Sequence, residues 1–533
     1  MKRTKRDRFM EMVALLVSVI FLFSSVSLSA AAEPKKTVTP QKSTVPTKTE
    51  TPKYGGILKI SDLQDAISMG YPAKIVRADA NRQGGAAIET LLRYDTTGKL
   101  IPWLATSYKE NAKDKNIALT LRKGVKFHDG TDFNAEAVKW NLEQFVAAKS
   151  AAVKNFASIN VVDEYAIRIN LAEWDSTTVS NLAGTVGMMI SPAACKKNGP
   201  DWAATHPIGT GPFEFVSWER DTRTSFKKFN GYWQKGKPYL DGVEFIPIAD
   251  SLTREMALKK GETHITFVLD APSLKKLEGQ GYLNYRLPLT GASTLVPDSA
   301  NPNSPWSKLK VRQAAQYAIN TEEIAKTVFA GEAQPGKQWV YKGHWGYNPV
   351  VVGYPYNPIK AKQLLKEAGY SNGFKTKLTY NKGLNDLAFA SVQDYLRAVG
   401  IDAELNPVQS GGWNQLSVGG TWDGLLYGGA TGEPDVLALM AVRMSGLANW
   451  YKSTNFPPDF VNAVKSAIAA PDFKTKQKRV WDAQKLMVDK HCLTIMLWCQ
   501  YLASTEQPYV RNSGFYRTAH NGNWTPEEAW IAK

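Results

Sequence analysis

The stretch that constrains the fold most strongly reads Leu121-Arg-Lys-Gly-Val-Lys-Phe-His-Asp-Gly-Thr-Asp-Phe-Asn-Ala-Glu-Ala-Val138. A strand that ends at Leu121 is followed by a Lys-Gly turn, by a second short strand through Val125 and Phe127, and by a tight Asp-Gly turn. Asn134 then offers an N-cap to a helix whose apolar residues recur every fourth position. The stretch therefore predicts two strands, two turns and a helix in close succession.

Seven further segments carry motifs that follow one another along the chain. They lie at residues 54–60, 89–95, 98–105, 207–215, 229–233, 311–320 and 356–370. Together with 121–138 they resemble, in order, motifs of the large solute-binding proteins that feed ABC importers, the family 5 group of peptide, dipeptide and nickel binders. The resemblance runs from about Lys53 to the C-terminus.

This resemblance implies an α/β protein of the periplasmic binding protein fold (type II, similar to cluster C), with two lobes, a hinge and a ligand cleft between the lobes. Residues 53–288 are expected to form lobe I, including an inserted subdomain at about 86–200. Residues 289–492 are expected to form lobe II, and residues 493–533 to return to lobe I. A chain of 533 residues with 43% hydrophobic content is long enough for several cores.

Short strands and helices alternate along the chain, as in α/β proteins generally. The pattern predicts strands at 57–60, 117–121, 166–170, 213–218, 243–248, 375–380, 402–407, 424–427 and 493–498, and helices at 135–147, 251–260, 311–318, 387–398, 436–444 and 477–490.

The N-terminus predicts export. Residues 1–32 combine a basic start, an apolar run at 12–23 and small residues before Glu33, which is the pattern of a cleavable signal peptide. No cysteine lies near the cleavage site, so the pattern predicts a soluble periplasmic protein without a lipid anchor; a retained membrane anchor is the alternative. Residues 33–52 are rich in Pro, Thr and Lys, and we expect an extended linker rising about 3 Å per residue there.

The formal net charge of +16 limits the range of partners. Such an excess suits anionic ligands or anionic membrane surfaces. The sequence has no dense Lys/Arg block with interleaved aromatic residues, so we expect no nucleic-acid binding.

The three cysteines are expected to be free, mostly buried thiols. Cys492 and Cys499 bracket the strand predicted at 493–498, whose ends lie roughly 23 Å apart, far beyond disulfide reach. Cys195 has no neighbour in sequence with which to pair.

No sequence motif predicts an enzyme, a metal site or a cofactor site. C-x-x-C, metal-ligand His spacing, P-loop, G-x-G-x-x-G and G-x-S-x-G patterns are all missing from the sequence. His128 and Asp129 lie beside a turn, where such side chains more often close a loop than exchange protons. Glu433 and Asp435, two positions apart in a Gly/Pro-rich turn, are a weak signal for acid/base work.

The resemblance implies a ligand site at 427–435. In peptide-binding relatives an Asp in the matching position holds the α-ammonium group of the peptide, a role that falls on Asp435 here; the alternative is that Asp435 caps the helix at Val436. Gly428 and Gly429 would let an extended peptide approach the backbone. Replacing Asp435 with Asn is expected to weaken binding of an amine by about 1.5–3 kcal/mol and to leave thermal stability nearly unchanged.

Two further residues are implied in the ligand site. Trp413 lies where relatives have a tryptophan facing the cleft, although a packing role is equally compatible with the pattern. Lys382 falls near the position of a carboxylate-binding Arg in dipeptide binders. A lysine gives a point charge in place of a planar fork, which weakens the case for dipeptides.

These residues together predict a receptor that captures its ligand between hinged lobes, because a ligand held by both lobes favours the closed state. A peptide is the expected ligand, and a metal chelate, opine, sugar or aromatic acid is the alternative. A periplasmic hydrolase or a peptide chaperone is more remote. The expected partners are an ABC permease and a separate ATPase chain, and we expect a monomer.

Overall fold

The computed structural model describes residues 50–75, 82–95, 99–267, 270–289, 291–382, 384–429, 435–515 and 524–532. The predicted signal peptide at 1–32 and the linker up to residue 49 lie outside the described residues, and so does Glu433. In the described part of the chain no helix is both long and apolar enough to cross a membrane.

Twenty strands are described. They are β1 Ile57–Asp62, β2 Leu92–Tyr94, β3 Leu100–Pro102, β4 Ala105–Asn111, β5 Asn116–Leu121, β6 Phe156–Asp163, β7 Ala166–Leu171, β8 Phe213–Glu219, β9 Arg223–Lys228, β10 Gly242–Pro247, β11 Ile265–Phe267, β12 Leu283–Pro288, β13 Ser293–Pro297, β14 Ala333–Pro335, β15 Phe374–Asn381, β16 Ile401–Val408, β17 Leu425–Gly428, β18 Ile495–Glu506, β19 Val510–Arg511 and β20 Trp530–Ile531.

The helices of the described residues are α1 Ala135–Ala147, α2 Thr178–Asn181, α3 Pro192–Asn198, α4 Pro200–Thr205, α5 Ser251–Lys260, α6 Ala271–Gly279, α7 Leu309–Ala318, α8 Thr321–Thr327, α9 Pro358–Glu367, α10 Asp386–Arg397, α11 Ser410–Ser417, α12 Val436–Arg443, α13 Pro458–Ile468 and α14 Phe473–Lys485. Short 3₁₀ turns and a π-helical turn after α14 complete the set. Asn or Asp side chains cap α1, α5, α6, α8, α9, α10, α12 and α14, which satisfies amides that have no partner inside the helix.

One long strand is shared by the two halves of the main sheet. The strands follow the order β16-β15-β17-β13-β18-β11-β1-β10-β9-β8, and β12 and β14 also pair with β18. Residues 495–500 of β18 pair with β13 and β14, whereas residues 501–506 pair with β11 and β12. A separate antiparallel sheet has the order β4-β5-β7-β6.

Each sheet half is covered by its own apolar cores. Leu58 and Phe245 belong to a core on the β1–β10 side, and Ile117 and Leu142 belong to a core between α1 and the four-stranded sheet. On the other side of β18, two cores form around α7, α9 and α10 and around α12, α13 and α14. The mixed parallel sheet with helices on its faces is the α/β architecture that the sequence predicts.

The stretch at 121–138 folds largely as predicted. Asn134 accepts a hydrogen bond from the amide of Ala137 and caps α1. The prediction of a second short strand at 125–127 is wrong, because the structure has only an isolated bridge there, between Lys126 and Asp132. The amide of Phe127 donates to the carbonyl of Thr131 within the loop, so these hydrogen bonds close a turn instead of a ladder.

His128 and Asp129 close loops, as predicted. The Nε2 atom of His128 lies 2.9 Å from the carbonyl oxygen of Gly211, and its amide donates to the carbonyl of Gly209. Asp129 accepts hydrogen bonds from the Thr131 amide and hydroxyl at 3.1 and 2.6 Å. The His128 side chain therefore contacts the turn at 207–212, and Asp129 closes the turn that precedes α1.

A buried carboxylate ties several of the sequence motifs together. Glu89 is 1% exposed. Its Oε1 atom accepts hydrogen bonds from Trp103 Nε1 and the Tyr232 hydroxyl, both at 2.8 Å. Its Oε2 atom accepts from the Thr210 hydroxyl and Trp233 Nε1, both at 2.9 Å. Burial raises the pKa of Glu89, while the charge of Arg93 and these donors oppose the shift.

Replacing Glu89 with Gln should destabilise the protein. The amide nitrogen of Gln would face two donors, so at least one of them loses its acceptor at a cost of about 1–3 kcal/mol. Urea unfolding of the two proteins measures the difference in the free energy of unfolding. The matched control is Glu164→Gln at an exposed site, where we expect a change within about 0.5 kcal/mol. Equal effects of the two substitutions would contradict a structural role for the four donors.

The three cysteines are free and buried in the structure, in agreement with the sequence. Burial raises the pKa of the Cys492 and Cys499 thiols to about 12. Native protein should therefore resist thiol reagents, and denatured protein should titrate three thiols with or without reductant. A count of one thiol that rises to three only with reductant would indicate a disulfide.

Candidate functional site

The carboxyl ends of β15 and β17 lie at one edge of the sheet. The two strands run parallel, with Leu378 opposite Leu425 and Thr379 opposite Leu426. Lys382 follows the end of β15, and Gly429 follows the end of β17. Ligands of open α/β sheets bind outside this kind of edge. The structure therefore brings Lys382, Gly428 and Gly429 to one place.

The two glycines differ in what surrounds them. Gly428 is buried opposite Thr294 in β13, and a Cβ atom there would lie 2.6 Å from Thr294 Oγ1 and 3.0 Å from Val296 Cγ2. Gly428 is thus required by the packing of the sheet itself. At Gly429 the nearest atom to such a Cβ is Tyr427 Cε1 at 3.6 Å, an ordinary contact. Gly429, not Gly428, leaves the backbone open at this edge.

The buried side chain of Trp413 contacts the end of β17. Its side chain is 8% exposed, and Nε1 donates a hydrogen bond of 2.8 Å to the carbonyl of Tyr427. Its ring lies edge-on to Trp450, with centroids 6.4 Å apart. The structure shows a packing contact for Trp413, and a contact with ligand stays a prediction.

Two cations flank the edge. Lys382 is exposed, and its ammonium forms no ion pair with any residue that the structure describes. Arg443, the last residue of α12, is half-buried and donates from Nη1 to the carbonyl of Gly429 at 3.2 Å. Arg443 was not predicted from the sequence, since no local pattern shows that the end of a helix returns to Gly429.

Asp435 is held by contacts within the chain. Its Oδ1 atom caps α12 by accepting from the amides of Leu437 at 3.0 Å and Ala438 at 3.4 Å. Its Oδ2 atom lies 2.5 Å from Lys476 Nζ and accepts from the Ser180 hydroxyl at 2.7 Å. Burial alone would raise the pKa of Asp435, but Lys476, Ser180 and the amide of Leu437 together hold it below its usual value.

Lys476 connects two cores of the protein. Its side chain is buried, and its ammonium also donates to the carbonyl of Ser176 at 2.9 Å. The neighbouring Trp174 donates from Nε1 to the carbonyl of Ala470 at 2.7 Å, and the amide of Ser176 donates to the carbonyl of Ile468 at 2.9 Å. The segment at 174–180 is therefore docked against α13 and α14 around the Asp435–Lys476 pair.

The ion pair between Asp435 and Lys476 helps to decide between two hypotheses for Asp435, namely that it binds a ligand ammonium and that it caps α12. The capping geometry is present, and the chain supplies its own ammonium at the carboxylate. A ligand ammonium would have to displace Lys476, so that role stays a prediction. The helical spacing of the sequence could have indicated that Lys476 is buried, because Lys476 lies on the same face of α14 as the apolar residues Val480 and Ala483.

The edge formed by β1 and β11 carries a second closed ion pair. Asp62 ends β1, and Arg82 donates to its Oδ1 and Oδ2 atoms from Nη2 at 2.9 and 3.2 Å. The guanidinium also lies 4.7 Å from the ring centroid of Phe267. Arg82 and Asp62 therefore neutralise each other. Lys382 and Arg443 at the β15–β17 edge differ, because neither forms an ion pair with a described residue.

Three comparisons place the chain among known proteins. The family model of bacterial extracellular solute-binding proteins, family 5, matches residues 99–449. Glutathione-binding protein GsiB of Escherichia coli O1:K1 is 34% identical over 391 residues, which cover 70% of this chain and 73% of that protein. The periplasmic binding protein DppA of Helicobacter pylori, solved with the peptide STSA, matches with a TM-score of 0.75 at 24% identity, over 90% of this chain and 99% of that one. The periplasmic binding protein AgaA of A. tumefaciens R10, solved with agropinic acid, matches with a TM-score of 0.73 at 25% identity, over 89% and 99%.

Replacing Asp435 with Asn should destabilise the empty protein, which corrects the expectation from sequence that stability is unchanged. The substitution leaves the Lys476 ammonium buried without its counter-charge, at a cost of about 3–5 kcal/mol. The double variant Asp435→Asn, Lys476→Met should regain much of this loss, because no buried charge is left. Chemical unfolding of the wild type, the single variants Asp435→Asn and Lys476→Met, and the double variant measures the coupling.

The control for this cycle is an exposed ion pair. Glu173→Gln breaks the pair with Lys115, whose side chains are 79% and 42% exposed, and should cost less than about 1 kcal/mol. Because the pKa of Asp435 is lowered, its contribution is present above the usual Asp value of about 3.9 and is lost as the pH falls through its folded value. An Asp435→Asn effect no larger than that of Glu173→Gln would show that the buried pair contributes little.

Proposed function

The chain belongs to the bacterial extracellular solute-binding proteins of family 5, and from this premise we propose that it captures a small peptide between its two lobes and delivers it to an ABC importer. Members of this family bind solutes and are not enzymes. Capture needs no covalent step, because a ligand that contacts both lobes shifts the population toward the closed form.

The main support for a peptide is the similarity to GsiB, which is a glutathione-binding protein, over most of both chains. Glutathione is a short peptide with two carboxylates and one ammonium group. The open backbone at Gly429 and the cations of Lys382 and Arg443 suit a ligand that offers amide groups and carboxylates. Trp413 and Gly428 contribute by holding the end of β17 in place.

Asp435 contributes to this proposal through closure. Ser180 and the carbonyl of Ser176 contact the Asp435–Lys476 pair, so this polar cluster joins the part of the chain before β8 to α12 and α14. Such a contact favours the state in which the two sides are together. A direct contact of Asp435 with a ligand ammonium requires that Lys476 first moves away.

An acidic opine is a second candidate ligand. AgaA, at 25% identity, was solved with agropinic acid. The two cations at the β15–β17 edge suit the carboxylate of such an acid as well as that of a peptide.

The remaining parts of the proposal follow from the sequence. We propose export by the signal peptide at 1–32, with cleavage near Ala32 or Glu33, and work in the periplasm as a monomer. A membrane permease would receive the ligand and a separate ATPase chain would supply the energy. The boundaries of lobe I at 53–288, of lobe II at 289–492 and of the return at 493–533 belong to the same proposal.

Calorimetric titration should detect one-to-one, saturable binding of glutathione or a tripeptide without turnover. Protein purified from its own host and analysed by native mass spectrometry should carry the ligand, and denatured and refolded protein should lose it.

Lys476→Met should strengthen binding of an amine-bearing peptide only if the ammonium reaches Asp435. Cleavage of the peptides, or binding of agropinic acid with no binding of any peptide, would contradict the proposal.

A further inference from the structure

Arg443 is a half-buried guanidinium with few partners. It uses Nη1 to donate to the carbonyl of Gly429 at 3.2 Å, and its Cζ atom lies 4.7 Å from the ring centroid of Trp450. A guanidinium has five N–H donors. Within the described residues no carboxylate forms an ion pair with Arg443, and the one hydrogen bond that its guanidinium donates to them goes to Gly429.

Two buried cations elsewhere in the described residues differ from Arg443 in that each has a carboxylate partner. The buried Arg82 pairs with Asp62, and the buried Lys476 pairs with Asp435. Asp435 is eight positions before Arg443 and could have balanced its charge, but its Oδ2 atom is committed to Lys476 and Ser180. Among the described residues, Arg82 and Lys476 are thus neutralised by a carboxylate, whereas Arg443 is not.

The surroundings of Arg443 hold its side chain in one orientation. The ring of Trp450 stacks on the guanidinium, and the carbonyl of Gly429 fixes one edge of it. A guanidinium held in this way loses little conformational entropy when its free edge binds a planar acceptor. Because Gly429 follows the end of β17, this free edge belongs to the same sheet edge as Lys382.

We propose that Arg443 binds a carboxylate of the captured ligand, and that the protein therefore selects ligands with a free carboxylate over their esters or amides. The carboxylate accepts two parallel N–H bonds from the guanidinium, and Trp450 forms the wall behind it. Lys382 adds a second, less directional positive charge. This inference rests on the proposed function and adds the chemical class that the site accepts.

The test compares acids with their neutral derivatives. Glutathione and its diethyl ester, and triglycine and its amide, are titrated calorimetrically into the wild type, Arg443→Gln, Arg443→Lys and Lys452→Gln. Lys452 is an exposed lysine close to Trp450 and serves as the matched control. Melting curves of the unliganded proteins verify that each variant folds.

The wild type should bind an acid about ten- to a hundredfold more tightly than its neutral derivative, the range for hydrogen bonds to charged groups. Arg443→Gln should lose most of the preference and keep at most the small part that Lys382 supplies, Arg443→Lys should retain an intermediate preference, and Lys452→Gln should match the wild type. If Arg443→Gln fails to fold, Arg443→Lys decides the question, and full preference in that variant overturns the role of the planar fork.

Two other results separate this inference from the proposed function. Tight binding of acid and neutral forms with equal affinity by the wild type overturns the role of Arg443 and leaves peptide capture standing. A preference for the acid that is as large in Arg443→Gln as in the wild type does the same. Failure of every probe to bind the wild type contradicts the peptide proposal and, with it, the role of Arg443.

Discussion

A carboxylate removed from water needs a donor for each of its lone pairs, and Glu89 meets this requirement with side chains from three separate segments. Trp103 comes from the motif at 98–105, Thr210 from that at 207–215, and Tyr232 and Trp233 from that at 229–233. These three segments are separate in the sequence, yet each of them supplies hydrogen-bond donors to the carboxylate of Glu89. These hydrogen bonds hold the chain around Trp103, Thr210 and Tyr232 together.

The same requirement applies to Asp435. Asp435 is buried, and the chain fills its oxygens with the ammonium of Lys476, the hydroxyl of Ser180 and two helix amides. A carboxylate satisfied in this way offers little to a ligand. Among the described residues at the β15–β17 edge, Lys382 and Arg443 form no ion pair, and the proposal that the ligand presents an acid rests on these two cations.

Local patterns predict local structure well here. The helices at 135–147 and 251–260 have the predicted bounds, because an Asn or Asp cap precedes each apolar repeat. The helix predicted at 477–490 starts earlier, at Phe473, because the cap at Asp472 lies among lysines that show little apolar periodicity. The strand β13 escaped prediction because all its residues are buried, so the sequence has no alternation to read. At the candidate site, Ser180 and Asp435 are separated by 255 positions, and no local pattern can show that they meet.

The pairing of β18 limits how the two sides of this protein can move. A strand hydrogen-bonded along its whole length cannot slide, since a slip of one residue would turn every buried side chain toward the opposite face. Opening must then come from twisting or bending of β18 near Gln500 and Tyr501, where its neighbours change from β13 and β14 to β11 and β12. Relative motion of the two sides then involves rotation of β18 about this short piece of backbone, and the consecutive strands β12 and β13, which pair with β18 on either side of it, turn relative to each other.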